Sequence, residues 1–159
     1  AIDHDRCVAA AAAWRCNQDA VVPGADDAVD KLNCKIAEYT QAIVQDRPQF
    51  HVSLAIDISP ECDCNYWNDA PILPDLGMFA SFDPVAIDQA AIDMALAAPA
   101  FENTMLTDEK EKLEGQGGIP DRCQHDHFNL THPDTNWRSM IEHAEKIGLG
   151  TSSYELIEV

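Results

Sequence analysis

Ala80-Ser81-Phe82-Asp83-Pro84-Val85-Ala86-Ile87-Asp88-Gln89-Ala90 turns a strand into a helix within a few residues, and this transition decides the fold class. Asp83 carries the side-chain oxygen that an N-cap needs. Pro84, with φ already fixed, stands at the first helical position, where a missing N–H costs nothing. The helix is expected to run to about Ala98, ahead of Pro99. Upstream, Leu76 to Ala80 predicts a short buried strand and Phe50 to Ile56 a mostly buried one. Further out, Val29, Leu32, Ile36, Tyr39 and Ile43 recur at helical spacing, starting from Asp26 or Asp27 and stopping at Arg47-Pro48. Trp137, Met140, Ile141, Ala144 and Ile147 predict a last amphipathic helix closed by Gly148, and Tyr154 to Val159 a terminal strand. Strands alternating with helices predict an α/β or α+β layered domain over residues 25–159, with a short mixed sheet and packing helices.

Two stretches fall outside this pattern. Residues 59–75 carry three prolines (Pro60, Pro71 and Pro74) with many Asn and Asp, and read as a long loop of functional or mobile character. Residues 101–134 read as irregular, with one short helix from about Asp108 to Glu114 and a flexible Gly115-Gln116-Gly117-Gly118 stretch. Residues 1–24 form a small appendage that ends on the turn signal Pro23-Gly24.

With 159 residues and 46% apolar content the chain has enough material for one globular domain and its core. A formal net charge of −18 and a pI near 4.3 exclude nucleic acid and anionic membrane as partners, since phosphate binding needs clustered Lys and Arg. An acidic surface suits solubility, cation binding or a basic redox partner. No apolar run approaches the length of a membrane span, and no secretory leader is visible. The chain opens on Ala1 in what reads as mid-domain, the pattern of a processed subunit or a fragment. Six cysteines at non-repeating spacings predict a reducing, cytoplasmic setting rather than a disulfide framework.

Four constellations could carry chemistry. Cys62-Asp63-Cys64, beside Glu61, Asp69 and Asp75, puts two thiols one residue apart among carboxylates. Neighbouring acids oppose a free thiolate, so metal or cluster ligation, a redox pair and a structural role all stay open there. Cys7 and Cys16 bracket an alanine-rich run, Ala9 to Ala13, followed by Asn17-Gln18-Asp19-Ala20. A bacterial ferredoxin run spaces its thiolates as C-x₂-C-x₂-C with a fourth Cys close behind. Here the middle positions, Ala10 and Ala13, hold no thiol, so the run is a lost cluster site, a non-native alanine stretch or an Ala-rich helix with two incidental cysteines. Cys123-Gln124-His125-Asp126-His127, with His132 five residues on, offers imidazoles that could reach one ion. Asp88 shares a helical stripe with Val85, Ile92 and Leu96, where a carboxylate needs a donor, a cation or a metal.

Taken together, several separated motifs resemble the domain-of-unknown-function 362 family. They are Phe50-His51-Val52 through Ile58-Ser59-Pro60-Glu61-Cys62-Asp63-Cys64, then Pro74-Asp75-Leu76-Gly77 and Ala80 to Ala90. Ala37-Glu38-Tyr39, the Phe128…His132-Pro133…Trp137 run and Glu145-Lys146-Ile147-Gly148-Leu149-Gly150 ahead of Tyr154-Glu155-Leu156 fit as well. The resemblance extends over roughly residues 26–159, as the C-terminal half of such a protein, with residues 1–24 as the tail of a degenerate ferredoxin-like insert. It implies an iron–sulfur cofactor and an electron-transfer role in an anaerobic type of metabolism. Cys7 and Cys16 would be remnants of the cluster site, and Cys62 and Cys64 a second ligand pair. Pairing with a missing N-terminal half, or with a second copy, would complete the protein.

Two other readings compete with that expectation. In one, an enzyme or small-molecule domain gathers Asp75, Asp83 and Asp88 around a divalent metal ion at the strand ends, with Asp63 and His132 as further candidates. In the other, the chain is a non-catalytic subunit of a larger α/β protein.

Overall fold

A computed structural model describes residues 28–61, 66 and 68–159 of the chain. The segment 1–24, with Cys7, Cys16 and the alanine run, lies outside the described residues, as do Cys62, Asp63 and Cys64.

Among the described residues the fold is mixed α/β, with five α-helices and a two-stranded antiparallel sheet. The chain runs α1 (Ala28–Val44), β1 (His51–Ala55), β2 (Gly77–Ser81), α2 (Pro84–Ala97) and α3 (Met105–Gly115). A 3₁₀ turn (Asp121–Cys123), α4 (His127–Thr131) and α5 (Trp137–Lys146) follow. The strand–cap–helix transition forms as its sequence predicts. Asp83 Oδ1 accepts from the backbone N–H of Val85 at 2.8 Å and of Ala86 at 3.0 Å, with Pro84 at the first position.

The sheet departs from expectation in three ways. It is purely antiparallel, with His51 opposite Ser81 and Ala55 opposite Gly77. Tyr154 to Val159 forms no strand (its stretch of chain is held by side chains instead). Thr151 N–H donates to Asp83 Oδ2 at 2.9 Å, Ser152 N–H to Glu145 Oε1 at 2.6 Å, and Tyr154 O–H to Asp93 Oδ2 at 2.7 Å. Gly150 permits this strapping, because a Cβ there would overlap the Asp83 carboxylate.

Neither strand is buried on both faces. His51, Ser53 and Ala55 are half-buried on the side of β1 away from Val52 and Leu54, which remain exposed. On β2 only Phe79 is buried, in a cluster with Ile87 and Ala90 of α2. Long apolar runs signal two-sided burial only when both faces have a cover.

Residues 101–134 are more ordered than expected. α3 starts three residues before Asp108, with Thr104 as its N-cap residue. The five-residue α4 is too short for periodicity to reveal. The main core cluster gathers Ile72, Leu73, Ala95, Leu106, Cys123 and Leu130. A second cluster, Ala37, Val85, Ile141 and Ala144, joins α1, α2 and α5. In α1 the small Ala37 lets α5 approach. Asn33 and Gln41 flank that contact, donating to Asn136 O at 2.6 Å and Ile147 O at 2.6 Å. The larger residues of the apolar stripe, Ile36, Tyr39 and Ile43, are left exposed.

Candidate functional site

Between the strands, the described residues that flank the cysteine segment in sequence form a two-legged stalk. Its legs are tied by Leu76 N–H to Ala55 O at 2.8 Å and Ile72 N–H to Ile58 O at 2.8 Å. Higher up, the Asn68 side chain closes the neck. Its Oδ1 accepts from Glu61 N–H at 3.1 Å, and its Nδ2 donates to Glu61 O at 3.0 Å and Ser59 Oγ at 2.7 Å. An Asn satisfies backbone groups in this way because its amide imitates a peptide unit. His132 braces the same neck, its Nε2 donating to Pro60 O at 2.6 Å. The residues between Glu61 and Asn68 are therefore bracketed on both sides by fixed backbone.

Glu61, immediately before Cys62, has a carboxylate oxygen, Oε2, that is buried without a hydrogen-bond partner. A buried carboxylate oxygen left unpartnered is costly, and such groups concentrate where an ion or ligand completes the shell. Sequence reading placed Glu61 and Asn68 in this same loop but gave Asn68 no role; its signal was an Asn amid Pro and Asp.

The histidine constellation separates. His125 is exposed at the surface, in a left-handed backbone conformation (φ 60°). His127 Nε2 lies 2.9 Å from Ala98 O, and a carbonyl only accepts, so Nε2 carries the proton. Nδ1 is then the ring's acceptor, buried and without a partner. Both rings border a cavity of about 510 Å³ lined also by Leu106, Ile119, Leu130 and Lys110. His132 is turned to the neck of the cysteine stalk.

Between the two histidines, Asp126 has the role that sequence reading missed. It is buried, and its Oδ1 caps α4 by accepting from Asn129 N–H at 3.0 Å. Its Oδ2 receives Trp137 Nε1–H at 3.1 Å and Arg138 Nη1 at 2.8 Å. The Arg138 guanidinium lies 4.3 Å from the Trp137 ring centre, so charge and ring share one network.

The three carboxylates proposed for a divalent ion have separate tasks. Asp75, before β2, accepts from Asp57 N–H at 3.0 Å. Asp83, beyond the other end of β2, is occupied by the α2 cap and the C-terminal strap. Asp88 lies within α2, where His51 is the charged group that acts on it. Among the described residues no group of three or more His, Cys, Asp or Glu is arranged to hold a metal ion.

Asp88 remains exposed, yet the protein atoms crowded around its carboxyl push its pKa above the ordinary value of 3.8, with His51 drawing it partly back. A carboxyl raised in the folded state stabilises fully below its unfolded pKa, and that contribution is lost as pH rises through the folded value. Asp88→Asn is therefore expected to melt at or above the parent temperature at neutral pH. The two should converge as pH falls below about 3.8. Melting curves across that range check this, and a variant less stable at neutral pH would show that the charge is needed.

No helix among the described residues is long and apolar enough to cross a membrane. No curated protein and no solved structure matches the chain. One family model does, that of a domain of unknown function (DUF362), over residues 4–93. That span takes in Cys7 and Cys16, the whole cysteine stalk and the sheet with most of α2, and leaves out the histidine constellation. Since it covers more than half of the 159 residues, the chain belongs to the DUF362 family.

Proposed function

We propose that the protein binds an iron–sulfur cluster through its cysteines and takes part in electron transfer. The observation that carries this reading is the buried, unpartnered Glu61 oxygen, on a pinned neck directly before Cys62-Asp63-Cys64. The donor chemistry fits. Cys7, Cys16, Cys62 and Cys64 are together four thiols, the number that common clusters take. Cys123 is not among them, since it is fully buried in the main core. A bound cluster would accept and release an electron. The chain's own contribution would be the braced neck that flanks Cys62 and Cys64 in sequence, with Asn68 and His132 limiting its movement. Thiolate ligands suit a reducing, cytoplasmic setting. A basic redox partner fits the net charge of −18.

Elemental analysis of protein purified without oxygen, with a visible spectrum of the same sample, tests the reading. Iron with acid-labile sulfide and a broad absorption band is the expected result. Changing Cys62 and Cys64 to Ser should lower iron per chain, and unchanged iron would remove those residues from the ligand set. A colourless protein holding one zinc or other divalent ion would replace the cluster with a single-metal site.

A further inference from the structure

The alternation along β1 is reversed relative to the one cover the described structure provides. Phe50, Val52, Leu54 and Ile56 share one side of the strand, and register sets Phe82 and Met78 beside them from β2. Phe50 and Phe82 touch across the strands with ring centres 5.1 Å apart. These six side chains are the larger apolar set, yet each is 45% to 75% exposed. The smaller set, His51, Ser53 and Ala55, is the more sheltered. Because side chains alternate strictly, a half-buried strand normally turns its larger apolar set to the core. At ~150–250 Å² per aromatic side chain, Phe50 and Phe82 alone expose roughly 200–300 Å². With four aliphatic neighbours, the face exceeds the few hundred Å² that monomers ordinarily leave uncovered.

We propose that this face docks an amphipathic helix of a partner protein, apolar along its centre and flanked by Lys or Arg. Length and charge both point to that occupant. Six steps from Phe50 to Ile56 span about 20 Å at ~3.4 Å each, which matches a helix of about 14 residues at ~1.5 Å each. The helix that covers the other side of the same sheet, α2, has 14 residues. Sheets take helices as covers because both bury an apolar face at one spacing.

The surroundings carry one sign of charge. No Lys or Arg occurs between Arg47 and Lys110, the stretch that builds the whole sheet. Exposed Asp57 and Asp75 stand together at the Ile56 end, and Asp83 follows Phe82 at the other. Two copies meeting here would bring like charges together, whereas a basic helix would be steered in and held in register. The surface needs no metal, so the inference stands apart from the cluster reading.

The test uses the full 159-residue chain and a labelled 14-residue Leu/Lys amphipathic peptide, followed by fluorescence anisotropy. A Leu/Glu peptide with the same apolar stripe and a scrambled Leu/Lys peptide serve as comparisons. The Leu/Lys helix should bind saturably and weaken as salt rises. Both comparison peptides should bind about tenfold less tightly or worse, the cost of one lost element of complementarity. Leu54→Ser with Met78→Ser, which leaves every charge in place, should weaken binding about tenfold or more. Retained circular dichroism shows that this variant is folded.

Equal binding by the scrambled peptide, or by the double variant, would overturn the proposal as mere charge attraction. A dimer that forms in the parent and dissociates in the double variant would make a second copy the occupant. Strong amide-exchange protection of residues 50–56 in the free monomer would assign the cover to the chain itself.

Discussion

Replacing Asp126 by Ala is expected to lower the unfolding free energy by about 2–4 kcal/mol, the sum of a lost N-cap and of charge-assisted hydrogen bonds. Three donors converge on this one carboxylate, Asn129 N–H, Trp137 Nε1–H and the Arg138 guanidinium, and it is 1% exposed. The figure stays below the cost of stranding a fully buried charge, because the Arg138 side chain is 47% exposed and water can take it up. Asp126→Asn should recover only the cap, about 1 kcal/mol. Its amide keeps one acceptor but turns an N–H toward two donors. Urea unfolding followed by far-ultraviolet circular dichroism reads both values. A loss under about 1 kcal/mol for Asp126→Ala would mean that packing of Phe128, Trp137 and Arg138 holds this corner without the carboxylate.

Leu73→Ala should cost about 2–5 kcal/mol, the range for truncating a fully buried leucine. Leu73 is 1% exposed, in one cluster with Ile72, Ala95, Leu106, Cys123 and Leu130. The volume-conserving Leu73→Met should cost under about 1.5 kcal/mol. Leu73 also sits on the return leg of the cysteine stalk, where Ile72 bonds to Ile58 O and receives Phe101 N–H at 2.9 Å. Amide exchange at Ile72 and Phe101 should therefore quicken in Leu73→Ala beyond the change at α5. If the variant melts like the parent, residues 72–73 are not anchoring that leg.

This second expectation runs against the way residues 59–75 read in one dimension. Three prolines and several Asn and Asp describe a loop, and the described residues between β1 and β2 indeed form no regular structure. What composition conceals is that two residues of that loop, Ile72 and Leu73, enter the main core. The histidine constellation gives the same lesson. Spacing singled out His125 and His127 as possible co-ligands, but the load at that place rests on Asp126 between them. Its partners Trp137 and Arg138 are set by a turn of the chain that no short-range pattern encodes.

Several features depended only on neighbours in sequence. Asp83-Pro84 started α2, Pro99 closed off its end, and Gly148 followed α5, because caps and φ restrictions act within one helical turn. The antiparallel pairing and the face of each element that gained a cover were decided only in three dimensions. Ala37 rather than Ile36 and Tyr39 became the contact of α1, since close helix approach rewards a small residue. Phe50, Val52 and Leu54 were left outward because α2 lies on the opposite side of the sheet. An apolar pattern states that a face must be buried. Which surface buries it is a property of long-range packing, and for this sheet the described chain supplies a cover on one side only.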